Sequence, residues 1–335
     1  MKELAIVVIT KNQDWNIQRL IESVLLGTAS VSSSEIVVVD SASTDKTVDL
    51  AKKYPVNILR LRPDMRLTAA AGRSMGFKYS QSRYLLFLDG DMELHPGWLE
   101  RAIQVMEGDP TVAVVTGDVI DLPIPADGCV ARASTLRAAA VGEAIEAPIC
   151  GGAAMYRRTV MEQVGTFNPY LYADEEPELC LRIRHKGYRI IHIRRPMVNH
   201  YTEPNETLSS VISRRRRNFY LGCGQNIRYH AGTELLWQYV KERGFAFIPG
   251  VALMAGLLSL LWSLTTHQWL WFGSWCLLIA VFVASDARRK HSFYRTIVSL
   301  IKRLFSIEGT VRGLLLKPLP PETYPASLDV IKRLD

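Results

Sequence analysis

No aspartate, glutamate, lysine or arginine occurs between Phe245 and Ser285. Helices of soluble domains keep a polar face toward water and seldom run so far without charge. A membrane-crossing helix needs about 20 apolar residues, so this block is long enough for two. Thr265-Thr266-His267-Gln268 lies near its middle, with Trp269 and Trp271 just after. Polar residues beside tryptophan mark a bilayer interface. Two spans joined by a very short turn are therefore expected. Lys241, Glu242 and Arg243 precede the block and Arg288-Arg289-Lys290 follow it, so the positive-inside rule puts both ends in the cytoplasm. The alternative is a helical hairpin buried in a soluble domain.

The formal net charge is +7. Basicity of this kind suits nucleic acid, anionic lipid or phosphorylated substrates. The basic clusters Arg214–Arg217, Arg288–Lys290 and Lys302-Arg303 all flank or approach the apolar block, which favours a membrane surface. No zinc-finger spacing and no ribonucleoprotein-type aromatic motif occurs, so nucleic acid is not an expected partner. The cysteines Cys129, Cys150, Cys180, Cys223 and Cys276 are odd in number and scattered. That fits a reducing compartment better than a disulfide framework. The first apolar run, Leu4–Ile9, is too short for a signal-peptide core and reads as a strand.

From there, β-branched runs alternate with helical patterns. Strands are expected at Leu4–Ile9, Glu35–Val39, Val56–Leu61, Tyr84–Leu88 and Val112–Thr116. Helices are expected at Asp14–Leu26, Thr44–Tyr54, Leu67–Ser80 and Pro96–Met106, the last opened by proline in its first turn. Strands apolar on both faces are buried between helical layers. Alternation with short connections implies a mostly parallel sheet. In such sheets ligands bind beyond the carboxyl ends of the strands. Those ends here are Thr10-Lys11-Asn12, Asp40-Ser41, Arg62 and Asp89-Gly90-Asp91. Beyond them Asp121–Pro148 stays unassigned. Ile149–Arg157 and Tyr188–Ile193 read as strands, and Glu178–Lys186 as a helix.

Asp89-Gly90-Asp91 puts two carboxylates at the end of a buried strand, which is costly unless something neutralises them. Hard oxygen ligands suit Mg²⁺ or Mn²⁺, and such an ion can bridge a pyrophosphate. An ordinary solvated turn is the alternative. Asp40 is placed to accept a hydrogen bond from a base or ribose. Asp45 is more simply a helix-start acid. In the second acidic cluster, Asp174-Glu175-Glu176-Pro177-Glu178, Pro177 fits a first helical position with Glu176 as the cap. Helix-start stabilisation accounts for Glu175 and Glu178. It accounts less well for four crowded acids, because like charges raise one another's pKa and make a candidate general base. His200 is either structural or the completion of a metal site with the two aspartates. Arg214–Arg217 suits a donor pyrophosphate, a lipid phosphate or solvent.

Taken in order, Ile6–Asn12, Val38–Thr47, Ala71–Gly76, Phe87–Asp91 and Glu175–Arg182 resemble the motifs of family 2 glycosyltransferases, over roughly residues 4 to 201. The resemblance implies a GT-A, Rossmann-like fold, an inverting mechanism and a divalent cation, Mn²⁺ or Mg²⁺. It implies that Thr10, Asn12 and Asp40 lie at the nucleoside, Arg73 near the nucleotide, and Asp89 and Asp91 at nucleotide and metal. Glu176 matches the catalytic base, where family members more often carry aspartate, and His200 a histidine that approaches the metal. The Q-x-x-R-W motif of processive synthases is absent, which argues against a polymer-extruding enzyme.

The expected layout is a nucleotide-sugar-binding catalytic domain at 1–205 and a basic helical linker at 206–244. Two transmembrane helices follow at 245–285, then a cytoplasmic amphipathic and basic tail at 286–335. Within that tail His291–Leu316 is read either as an interfacial helix or as one packed on the catalytic domain. The expected reaction is transfer of one sugar from a nucleotide-sugar, UDP-sugars foremost, to a lipid-linked or glycan acceptor at the cytoplasmic membrane. A polyprenyl-phosphate monosaccharide synthase and a non-catalytic nucleotide-sugar-binding protein are the rivals. No G-x-G-x-x-G follows the first strand, which disfavours a dehydrogenase.

Overall fold

The computed structural model describes residues 2–124, 143–203 and 206–334. Most of the unassigned segment Asp121–Pro148, with Cys129, lies outside the described residues. The chain divides into two compact units, Met1–Pro204 with Leu319–Asp335, and Asn205–Pro318.

The first unit opens with β1 (Lys2–Thr10), α1 (Ile17–Gly27), β2 (Ser34–Asp40), α2 (Thr47–Ala51), β3 (Asn57–Arg60), α3 (Ala69–Tyr79) and β4 (Ser82–Asp89). Next come β5 (Met92–Leu94), α4 (Trp98–Gly108), β6 (Val112–Pro123), β7 (Ala144–Glu146) and β8 (Ala154–Arg157). Then come α5 (Arg158–Val164), α6 (Glu175–His185) and β9 (Arg189–Thr202). β1 lies inside the sheet, and its alternate side chains serve two cores. Leu4, Ile6 and Val8 pack with Ile17, Leu20 and Ile21 of α1 and Trp98 of α4. Val7 and Ile9 pack with Ala71 and Met75 of α3 and Leu179 and Ile183 of α6. Helices therefore cover both faces, as the doubly apolar strands require.

α3 sits against β1 through glycine. A Cβ at Gly76 would overlap Val7 Cγ1. Gly76→Val is expected to destabilise the unit by about 1–3 kcal/mol through overpacking. A lowered midpoint of urea unfolding checks this, and an unchanged midpoint contradicts the seating.

The sheet is mixed where a mostly parallel one was expected. β3, β2, β1 and β4 are parallel. β8 then runs antiparallel between β4 and β6, and β6 pairs parallel with β9. β5 and β7 both pair antiparallel with β9. The crossover through α4 still delivers β6 in the direction of β4, but one position further out. β8 fills the slot. Alternation predicts element type and direction; it does not specify which slot a strand takes.

Local boundaries also differ. α4 begins at Trp98 after Gly97 in left-handed backbone (φ 75°), so Pro96 precedes the helix. α6 begins at Glu175 after a left-handed Asp174 (φ 61°). Asp174, not Glu176, is thus the cap residue, and Pro177 is the third helical residue.

The second unit holds α7 (Leu208–Arg216), α8 (Gly222–Tyr229), α9 (Leu235–Arg243), α10 (Ile248–Thr266), α11 (Leu270–Lys290) and α12 (Phe293–Leu315). The expected turn is present, with His267 in left-handed backbone (φ 56°) between α10 and α11. Trp275 Nε1 donates to Ala252 O at 2.9 Å, lacing the hairpin. Both helices are long and apolar enough to cross a membrane. Their side chains face outward, Leu258 being 60% and Leu278 68% exposed, unlike a buried hairpin. α12 packs on the neighbouring helices through a small-residue side. A Cβ at Gly309 would overlap Tyr220, and one at Gly313 would overlap Leu221 O.

The segment read as one tail, 286–335, is divided. α12 stays in the second unit, while residues from Leu319 onward return to the first. There β10 (Asp329–Lys332) pairs antiparallel with β3. Lys332 Nζ donates to Tyr54 O at 2.6 Å and to Lys52 O at 2.8 Å. Four residues are too few to show a strand period.

Candidate active site

Parallel register sets the strand ends side by side. Thr10 pairs with Asp40, Asp40 with Arg60, and Ile9 with Asp89. Asp40 is fully buried. Its Oδ2 accepts from Ser43 N–H at 3.0 Å and lies 3.3 Å from Arg60 Nε. Burial raises its pKa against the pull of Ser43 and Arg60. Among the described residues, Asp40 Oδ1 and the buried Thr10 Oγ1 find no hydrogen-bond partner. An unpaired buried polar group costs about 1–3 kcal/mol, a cost that a polar ligand at these two strand ends would offset.

Asn12 adopts left-handed backbone (φ 55°). Its N–H donates to Ser43 Oγ and its Oδ1 accepts from Thr44 N–H, both at 2.8 Å. It laces the loops after β1 and β2. Asp45 accepts from Thr47 N–H at 3.0 Å and Asp14 N–H at 3.1 Å. Burial opposes these bonds, yet they hold its carboxyl below the usual range. That is the structural role expected of it.

The centre is Arg73, 2% exposed on α3. Its Nη1 meets Glu175 Oε1 at 2.6 Å. Its Nη2 meets Asp89 Oδ1 at 2.8 Å and Glu176 Oε1 at 3.1 Å. One guanidinium thus gathers the end of β4 and the start of α6. Burial disfavours its charge, but the three carboxylates outweigh burial and raise its pKa. Burial also pushes the Asp89 carboxyl up, opposed by Arg73; Asp91 and Glu176 push it further up and His200 pulls it down. All five groups therefore share one electrostatic neighbourhood. Glu175, raised to about 8 by burial and by Glu176 against Arg73, is the counter-ion that helix-start reasoning treated as ordinary. Glu176, with 17% of its side chain exposed against 6% for Glu175, is the member open to a substrate.

Gly152 explains how the cluster stays open. A Cβ there would overlap Asp89 Oδ2 and crowd Arg73 Nη2. Nothing in the local sequence pattern pointed to this residue. Asn16 was missed too. It is 1% exposed, and its Nδ2 donates to Gly90 O at 3.0 Å and Met92 O at 2.9 Å, bracketing Asp91 from both sides. An asparagine in the first turn of the predicted helix Asp14–Leu26, a residue type that favours helix caps, was the available signal.

Asp91 Oδ1 is buried with no partner among the described residues. Its Oδ2 faces His200 Nε2 at 3.7 Å, while His200 Nδ1 pairs with Asp121 Oδ1 at 2.8 Å. The Asp91 contact first, then Asp121, outweigh burial and raise the imidazole to about 9. Of the three expected metal ligands, Asp91 and His200 thus face each other, while Asp89 is tied to Arg73. Among the described residues no three His, Cys, Asp or Glu side chains are gathered tightly enough to hold an ion by themselves. The orphan oxygen and the hard donor set still fit Mg²⁺ or Mn²⁺, which complete their shells with substrate phosphates where protein ligands are few. A bound ion would also replace the imidazolium proton, since a ligating histidine is neutral.

Residues 5–165 match the family model described as Glycosyl transferase family 2. Glycosyltransferase AglE of Haloferax volcanii is 27% identical over 193 residues, 56% of this chain and 63% of that protein. The chain therefore matches less than two thirds of that relative's length. The mannosyltransferase PcManGT from Pyrobaculum calidifontis, solved in complex with GDP-Man and Mn²⁺, superposes with a TM-score of 0.61 at 19% identity. That match covers 93% of this chain and 87% of the other. Staphylococcus aureus TarS 1–349 in complex with UDP-GlcNAc superposes with a TM-score of 0.53 at 14% identity, over 93% and 90%. These likenesses establish a mixed α/β, GT-A-like fold.

Proposed function

We infer, from residues 5–165 belonging to glycosyl transferase family 2, that the chain transfers one sugar from a nucleotide diphosphate donor to an acceptor hydroxyl with inversion. The observation that carries the reading is the convergence of Asp89, Glu175 and Glu176 on Arg73 beside Asp91. The orphan Thr10 Oγ1 and Asp40 Oδ1 suit a nucleoside's hydroxyl and N–H groups. Asp91 and His200 would hold the cation, Mn²⁺ or Mg²⁺, which supplies positive charge to the departing diphosphate. Glu176 takes the proton of the acceptor hydroxyl, whose oxygen bonds to the anomeric carbon as the bond to the diphosphate breaks. Arg73 keeps Glu176 and Asp89 from repelling each other apart.

A membrane setting at the cytoplasmic face, and a lipid-linked or glycan acceptor in cell-surface polysaccharide or glycolipid synthesis, complete the proposal. Three features support it. α10 and α11 are apolar and outward-facing. Phe293, Ile297, Leu304, Val311 and Leu315 of α12 are all exposed. At about 100° per residue their spacing confines them to an arc of roughly 40°, the mark of a helix lying in an interface. Arg288, Arg289 and Lys290 lie two residues before α12, where anionic headgroups would meet them.

The test is a panel of nucleotide-sugars in detergent with added Mn²⁺ or Mg²⁺, followed by product formation. Asp40→Ala is expected to raise the donor KM about 10- to 100-fold, the worth of one or two hydrogen bonds to a charged group. An unchanged KM would remove Asp40 from the nucleoside site. Tight donor binding with no product from any acceptor would instead indicate a nucleotide-sugar-binding protein.

A further inference from the structure

The chain's last segment does more than close an edge of the sheet. After α12, residues from Leu319 return to the catalytic unit, and Tyr324 is 2% exposed there. Its hydroxyl donates to Arg66 O at 2.7 Å. Its ring meets the Tyr170 ring edge-on with centroids 5.5 Å apart. Thr323 Oγ1 lies 3.0 Å from Tyr170 Oη.

The two loops that Tyr324 touches are already tied to each other. Arg66 Nη1 donates to Tyr170 O at 2.9 Å, and its guanidinium lies over the rings of Tyr170 and Tyr172 at 5.3 and 4.9 Å. Thr68 Oγ1 donates to Pro169 O at 2.8 Å and accepts from Ala71 N–H at 3.0 Å, capping α3. One loop feeds α3, which carries Arg73. The other ends at the left-handed Asp174 and feeds α6, which opens with Glu175 and Glu176. The two loops therefore set the two halves of the buried ion cluster.

We propose that the segment Pro320–Tyr324 is a clamp on these two loops, with Tyr324 a positioning residue that holds Glu176 in register with Arg73. A tyrosine suits the task. Its ring joins the buried apolar cluster and meets the Tyr170 ring, and its hydroxyl reaches a backbone carbonyl of the opposite loop. Loss of the ring frees the 168–174 loop to drift, and a drift of about 1 Å at a reacting group costs about 100-fold in rate. The nucleoside end, at Thr10 and Asp40, is built from β1 and β2 and does not depend on the clamp.

The clamp's effect on turnover rests on Glu176 acting at the acceptor, so the test carries one readout that needs no reaction. Full-length protein in detergent is compared with Tyr324→Ala, Tyr324→Phe and Thr323→Val. Amide exchange is expected to speed up in peptides covering residues 66–73 and 168–176 in Tyr324→Ala, and to stay at the wild-type rate in β1 and β2. Turnover is expected to fall about 100-fold with donor affinity held. Tyr324→Phe, which keeps the ring, recovers most of that loss. Unchanged exchange at 168–176 overturns the clamp whatever the activity. So does a turnover loss that merely follows the fraction of folded protein, or one that Tyr324→Phe does not relieve. If Tyr324→Ala fails to fold, the same exchange comparison is made on Tyr324→Leu, which removes the ring but keeps an apolar side chain, and on Thr323→Val; faster exchange confined to the two loops is the supporting result and unaltered loops in Tyr324→Leu the contrary one. Absence of transfer by the wild type overturns the proposed function alone, because exchange still decides the clamp.

Discussion

Arg73→Met is expected to destabilise the catalytic unit by about 3–5 kcal/mol and to abolish transfer. The side chain is 2% exposed and faces three carboxylates. Replacing a buried ion pair wholesale with apolar groups is often harmless, but removing one partner leaves the other charges unpaired. Here the partners left behind would be Asp89, Glu175 and Glu176, and their mutual repulsion adds to the loss. Methionine keeps much of the arginine stem's volume, so a cavity is not the cause. Thermal and urea unfolding would read the destabilisation. Adding Glu175→Gln is expected to restore part of it, because the amide removes one uncompensated charge. A stable Arg73→Met, or a double variant no more stable than the single, would show that the guanidinium is not the hub. Arg73→Lys is expected to retain stability only in part, since one ammonium cannot reach both the end of β4 and the start of α6 as the two nitrogens of the guanidinium do.

The strand ends were legible because burial on both faces leaves a local trace. Val37-Val38-Val39-Asp40 and Leu85-Leu86-Phe87-Leu88-Asp89 announce a buried strand that stops at an acid, and parallel topology puts such stops at one edge. The partners of those acids were not legible. Arg73 sits on a helix of small residues, and nothing in that pattern says its side chain points inward. Glu175 and Glu176 are adjacent, so sequence alone gives no reason for one to be buried and the other half open. A left-handed Asp174 makes that choice by starting α6 two residues earlier than Pro177 suggested. β10 was missed, and β8, read as part of the strand Ile149–Arg157, proves shorter and takes an unforeseen slot, for a related reason. Each is four residues long, and each is fixed by antiparallel pairing with distant chain rather than by its own period.

Glu176→Gln is expected to lower the turnover number by about 10²- to 10⁴-fold, the usual worth of a positioned general base, while the donor still binds. Glutamine is isosteric and can keep an oxygen toward Arg73 Nη2, so the cluster's geometry is retained and only proton acceptance is lost. If turnover with a polyprenyl phosphate stays normal, the acceptor is already an anion and the chain is a polyprenyl-phosphate monosaccharide synthase. Asp91 tests the other side of the proposed donor site, because its orphan Oδ1 is the atom the proposal gives to the cation.

The most direct measurement is therefore calorimetric titration of one nucleotide-sugar, with and without Mn²⁺, into wild type, Asp91→Ala and Glu176→Gln, paired with transfer rates for each. The account predicts that Asp91→Ala loses the Mn²⁺-dependent part of donor affinity. Glu176→Gln should keep that affinity and lose transfer to hydroxyl acceptors. Wild-type affinity in Asp91→Ala, or full transfer to a hydroxyl acceptor by Glu176→Gln, would show that the two acids do not serve one donor.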